Sequence, residues 1–108
     1  MASVITVLGE IDASNAHDVS ENVTNHLEGC CQLLLDLGGM NFFGIDGISA
    51  LHRINAECAR RGIPWLLVAT GQVTRVLRIC DPEGALPTAD SAPAGLAALE
   101  KCRHLQLL

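Results

Sequence analysis

The chain has 108 residues, 49% apolar and 18% charged, which suffices for one domain with a buried core but not for two. Seven basic and twelve acidic residues give a formal charge of −5, which argues against the basic surface that a nucleic-acid partner requires. No apolar run approaches the roughly 20 residues of a membrane span, and the N-terminus has no recognisable secretory signal. We therefore predict one cytoplasmic domain over residues 1–108, with the tail 102–108 left unassigned.

The first third of the chain predicts two strands and a helix. The β-branched run Ser3–Leu8 is typical of a buried strand. Apolar residues recur at helical spacing over Ala16–Leu27, which predicts an amphipathic helix capped by Asp12 or Ser14. The apolar run Gln32–Leu37 predicts a central strand.

A glycine-rich segment, residues 38–47, is predicted to be a loop that leads into a second helix. Both phenylalanines of the chain lie in this loop, and we expect them to anchor it in the core. Helical periodicity then continues until Gly62, with Asp46 as the expected N-cap. A glycine-rich approach to a helix N-terminus is also where proteins commonly place an anion or a phosphorylated side chain.

The remaining elements continue the alternation of strands and helices. The sequence predicts a strand over Pro64–Ala69, a helix over Gln72–Ile79 and a weak extended stretch over Ala85–Pro87. A last helix over Ala92–Lys101 is expected to have Ser91 as its cap and Leu96 and Leu99 facing inward. Such an alternation predicts an α/β domain with a largely parallel sheet.

No motif for catalysis, metal binding or nucleotide binding is present in the sequence. The five cysteines form no CxxC pair, and the four histidines lack the spacing of a metal site. Gly38-Gly39 follows a strand, but no lysine or complete phosphate-binding motif accompanies it. We expect no cofactor, no metal and no enzymatic activity.

Four segments occur in an order and at a spacing that resemble a known family. They are GEID at residues 9–12, LLLDLGGMNFFGIDGISALHRI at 33–54, RRGIPWLLVA at 60–69 and QVTRVLRI at 72–79. Together they resemble the STAS domain of bacterial anti-sigma factor antagonists. The resemblance implies a mixed, mostly parallel sheet of about four strands packed with about four helices. It also implies a protein that binds a serine-kinase anti-sigma factor and thereby releases a sigma factor for transcription.

The resemblance further implies a regulatory position before the second helix. Family members usually carry Asp-Ser-Ser/Thr-Gly there, with the first serine as phosphate acceptor. The corresponding residues of this chain are Gly44, Ile45, Asp46 and Gly47, so the acceptor position holds Ile45, which has no hydroxyl. We expect no phosphorylation at this position, and Asp46 either caps the helix or resembles the charged state. The nearest hydroxyl, Ser49, is expected to bond to the backbone.

The predicted site is a surface for a protein partner. Its residues are Asp12, Phe43, Gly44, Ile45, Asp46, Gly47 and Ser49. The alternative for Asp12 is that it only caps the first helix. Cys102, in the tail, is a candidate for redox regulation.

Two further expectations follow from comparison with the family pattern. A family member usually has one more strand before the strand that ends in the GEID turn, so that additional strand is either lost or supplied by another chain, which makes a homodimer worth testing. The alternative function is a STAS regulatory subunit of a transporter or of a lipid-transport ATPase complex. An enzyme ranks third.

Overall fold

The computed structural model describes the backbone of residues 2–106 and the side chains of residues 2–101. Within the described backbone, strands and helices alternate along most of the chain, as the sequence predicts. The elements are β1 (Ala2–Thr6), β2 (Gly9–Ile11), α1 (Ala16–Asn25), β3 (Gln32–Asp36), β4 (Met40–Phe43), α2 (Asp46–Arg61), β5 (Trp65–Val68), α3 (Gln72–Cys80), β6 (Thr88–Ala89) and α4 (Ala92–Gln106).

Two parallel sheets organise these elements. The larger sheet has the order β1-β3-β5-β6, and the smaller one pairs β2 with β4. All strand pairs in the described residues are parallel, so the α/β prediction is confirmed and the expected antiparallel component is not seen there. β1 forms one edge of the larger sheet in the described part of the chain, and the homodimer stays a prediction.

Helices cover both faces of the larger sheet, which explains the continuous apolar run in its central strand. Leu33 and Leu35 pack into the main core with residues of α1, α2 and α3. Leu34 points to the opposite face, where it packs with Val68 and with Leu99 of α4. These three leucines of β3 are at most 1% exposed, as expected for a strand that is buried on both faces.

The main correction to the predicted elements is strand β4, which lies inside the segment predicted as a loop. Its partner β2 lies about thirty residues earlier, in the GEID segment that directly follows the predicted first strand. Such short strands show too few residues for a period to be recognised. Phe43 is buried at 1% exposure, but Phe42 is 44% exposed, so only one of the two aromatic side chains anchors this segment in the core.

The helix ends agree with the prediction at some positions and differ at others. Gly62 ends α2 in the left-handed conformation, with φ of 67°, and the hydroxyl of Ser91 accepts a hydrogen bond from the Ala94 N–H. Asp12 and Ser14 do not cap α1, because the helix begins after Asn15, which makes no side-chain cap.

The C-terminal third also departs from the prediction in three details. The extended stretch forms as β6, slightly after the predicted Ala85–Pro87, and α4 continues to Gln106. Leu99 faces inward as predicted, whereas Leu96 is 39% exposed.

No helix in the described part of the chain is both long enough and apolar enough to cross a membrane.

Candidate functional site

The parallel pair β2–β4 brings two predicted site segments together. Parallel strands end at the same edge of a sheet, so the loop after β2, with Asp12, lies beside the loop after β4, with Gly44. The Gly44 N–H donates to the Ile11 carbonyl at 2.9 Å, which fixes the two loops against each other. Residues far apart in the chain thus share one surface.

Phe43 and Gly47 form the support beneath this loop. A Cβ placed on Gly47 would lie 2.5 Å from two ring carbons of Phe43, so the close packing of helix on ring requires glycine here. Both residues are buried. They therefore shape the surface from beneath, and their part in binding a partner stays a prediction.

Ile45 and Asp46 lie at the exposed turn into α2. The Ile45 side chain is 69% exposed, and its backbone already has helical dihedrals, φ −57° and ψ −34°. The N–H groups of Gly47 and Ile48 donate to the carbonyls of Gly44 and Ile45, each at 3.0 Å. Asp46 is consequently the first helical residue, and the prediction that its side chain caps α2 is wrong.

Ser49 lies one helical turn after Asp46 on α2 and faces a different cleft, which Asp46 also borders. Ser49 is exposed and lines a smaller cleft of about 230 Å³ between α1 and α2, together with His17 and Arg53. Among the described residues its hydroxyl has no hydrogen-bond partner, contrary to the expected bond to the backbone. The side chain of Cys102 lies outside the described residues.

A larger open cleft, of about 610 Å³, separates the loop from helix α3. We call it the loop–α3 cleft. It brings together the predicted residues Asp12, Phe43, Gly44, Ile45 and Asp46 with residues that sequence reasoning did not place there. The added residues are Ala13, Phe42, Gln72, Arg75 and Val76.

Gln72 fastens α3 to the edge of β4. Its side-chain oxygen accepts a hydrogen bond from the Phe43 N–H at 3.3 Å, and its side-chain nitrogen donates to the Asn41 carbonyl at 3.5 Å. The first of these contacts spans 29 residues of sequence. The only local signal was a polar residue after Gly71 at a predicted helix start, which does not indicate a distant partner.

The charges of the cleft are divided between its two walls. Hydrogen bonds from the Ser14 hydroxyl and N–H hold the pKa of Asp12 below its usual value, so this carboxylate is ionised at neutral pH. Asp46 lies on the same loop wall, and Arg75 lies on the α3 wall. Within the described residues no ion pair joins Arg75 to either carboxylate.

The cysteines differ in their access to solvent. Cys58 is buried in the core, and burial raises the pKa of its thiol to about 11. Cys31 is exposed, while Cys30 and Cys80 are partly buried. No group of three His, Cys, Asp or Glu side chains within the described residues could hold a metal ion.

Comparisons with known proteins agree on one family. The family model "STAS domain" matches residues 2–91. Osmosensory protein A of Mycobacterium tuberculosis is 35% identical over 115 aligned residues, which cover 99% of this chain and 73% of that protein. The anti-sigma-F factor antagonist RsfA of the same species is 30% identical over 101 residues, covering 90% of this chain and 79% of RsfA.

The fold agrees with the sequence comparisons. A crystal structure of an anti-sigma factor antagonist from Mycobacterium paratuberculosis superposes with a TM-score of 0.78 at 22% identity, covering 92% of this chain and 86% of that one. The matched residues include strands β2 and β4, the turn into α2 and helix α3, which together form the loop–α3 cleft. The chain therefore belongs to the STAS domain family.

Proposed function

We propose that this chain is an anti-sigma factor antagonist, which binds an anti-sigma factor and so releases the sigma factor. The observation that carries the proposal is Ile45, a 69% exposed apolar side chain at the rim of the loop–α3 cleft, beside Asp12 and Asp46. RsfA and the antagonist from M. paratuberculosis, both named for this function, support it. Binding needs no cofactor and no catalytic group, and it takes place in the cytoplasm.

The loop is suited to binding because its shape is fixed before a partner arrives. The Gly44 N–H bond to Ile11 and the packing of Phe43 under Gly47 hold the backbone in place. A preformed surface loses less conformational entropy on association. Complete burial of Ile45 by a partner would contribute about 1.5–3 kcal/mol, and the flanking carboxylates would orient the partner.

We infer that this antagonist is not switched off by phosphorylation at the loop. A phosphate would add a charge of about −1.5 to −2 at the binding surface, but Ile45 offers no oxygen to receive it. Asp46 carries a single charge and lies in the first turn of α2, so it is a poor replacement for a phosphate one residue earlier. Ser49, one turn further, is the nearest hydroxyl on this helix.

A calorimetric titration tests the proposal. The chain is titrated into each purified anti-sigma factor encoded in its genome, and we expect one of them to form a complex. Ile45→Asp should weaken that complex strongly. Leu8→Asp is the matched control, because Leu8 is 71% exposed, receives the same charge and lies outside the loop–α3 cleft.

The outcomes are distinct. Absence of binding to every anti-sigma factor would overturn the antagonist function. Binding to the cytoplasmic part of a transporter or of a lipid-transport ATPase in the same assay would favour the regulatory-subunit alternative. If Ile45→Asp and Leu8→Asp weaken the complex equally, Ile45 does not contact the partner.

A further inference from the structure

We propose that the binding surface extends from the loop onto α3 and accepts an amphipathic segment of the anti-sigma factor. An apolar side chain of that segment enters the loop–α3 cleft, and an acidic side chain of the same segment pairs with Arg75. The inference rests on the proposed function and specifies which partner chemistry this surface recognises.

The first observation is the distribution of exposed apolar side chains. Phe42 and Ile45, at 44% and 69% exposure, both line the cleft. Val76 lines its α3 wall and is half-buried. Ile79, at 72% exposure, lies one helical turn beyond Arg75 on α3. A patch of this kind, rimmed by charge, is typical of a protein-binding surface.

The second observation is the polarity of the cleft. Asp12 and Asp46 make the loop wall negative, whereas Arg75 makes the α3 wall positive. Arg75 is exposed, and in the described part of the chain its guanidinium has neither an ion pair nor a side-chain hydrogen bond. Charge complementarity therefore requires a segment with a basic group toward the loop and an acidic group toward α3.

The cleft between α1 and α2 is the less suitable surface for the same segment. It is smaller, about 230 Å³ against about 610 Å³. Its arginine, Arg53, already makes a hydrogen bond to His17. In the loop–α3 cleft, two hydrogen bonds of Gln72 to strand β4 fix the α3 wall in place before a partner binds.

A pair of charge reversals on α3 tests the inference. Arg75→Glu and Arg78→Glu change the net charge equally, and both side chains are exposed on the same helix. Arg78, however, lines a different cleft, with Thr74, Leu77 and Asp81. We expect Arg75→Glu to weaken the complex with the anti-sigma factor by at least about tenfold, and Arg78→Glu by no more than about twofold. The salt dependence of binding should fall only for Arg75→Glu.

Each outcome decides a separate point. If wild type binds no anti-sigma factor, the proposed function falls and this inference falls with it. If wild type binds and the two reversals have equal effects, only this inference is overturned, because the charge then acts at long range. Light scattering of wild type and Arg75→Glu completes the test. A wild-type dimer that Arg75→Glu dissociates would place a second copy of the chain in the cleft and overturn the inference.

Discussion

Gly47→Ala is a direct test of how the binding loop is supported. The added Cβ would lie 2.5 Å from two ring carbons of Phe43 and 3.1 Å from a third. Ordinary contacts between carbon atoms are about 3.5–4.0 Å. Phe43 is 1% exposed, so its ring cannot move aside without displacing core neighbours.

The expected loss of stability follows from two opposing effects. Overpacking of a core typically costs about 1–3 kcal/mol, and three close ring contacts place this site in the upper part of that range. Alanine in place of glycine in a helix returns about 1 kcal/mol. The free energy of unfolding should therefore fall by about 1–2 kcal/mol. Each kcal/mol lowers the Tm of a domain this size by about 4–8 °C.

Thermal and urea unfolding of a double-mutant cycle measure this effect. In a Phe43→Leu background the smaller side chain leaves room for the new methyl group, so the same Gly47→Ala change should be neutral or stabilising. Ala56→Gly, at an exposed position of α2, measures the helix-propensity contribution alone. A Gly47→Ala variant that is more stable than wild type, or equally destabilised in both backgrounds, would refute the packing argument.

Three further predictions concern phosphorylation, acid stability and thiol reactivity. Ile45→Ser should gain one phosphate when mass spectrometry follows incubation with the kinase-type anti-sigma factor and Mg-ATP, while Ile45→Val should not. Hydrogen bonds from Arg60 and Arg61 lower the pKa of Glu57 to about 2. The stability that the ionised Glu57 contributes is therefore present above the pKa of this group in the unfolded chain, and it is lost as pH falls toward 2. Glu57→Gln should therefore flatten the decline of the urea midpoint between pH 5 and pH 2, and Glu100→Gln should leave it unchanged. At neutral pH maleimide should label Cys31 in the folded protein but Cys58 only after unfolding; peptide mass spectrometry distinguishes the two.

Most of the fold was predictable because its central elements have strong patterns. The apolar run of β3 and the helical spacing of Ile48, Leu51 and Ile54 in α2 reflect burial that the structure confirms. The end of α2 at Gly62 was also predictable, since the left-handed conformation there favours glycine. Local sequence patterns were sufficient to predict each element whose own residues show a clear apolar period or a helix-ending glycine.

The parts that sequence reasoning missed depend on contacts between distant segments. Strands β2 and β4 are short, and each becomes a strand because it pairs with the other. Asp46 is a favourable N-cap residue by type, but the helical backbone of Ile45 lets α2 begin at Asp46 itself, one residue before the start that an N-cap at Asp46 implies. The α3 wall of the cleft depends on the contact between Gln72 and Phe43, which no local pattern indicates.

Release of a sigma factor is the most direct test of the antagonist function. The chain is added to a preformed complex of the anti-sigma factor that it binds and the cognate sigma factor, in Mg-ATP, and free sigma factor is measured by size-exclusion chromatography over time. We predict release that persists throughout the incubation, with no change in the mass of the chain. Failure to release the sigma factor would contradict the function, and release that stops as the chain gains a phosphate would contradict a permanently active antagonist.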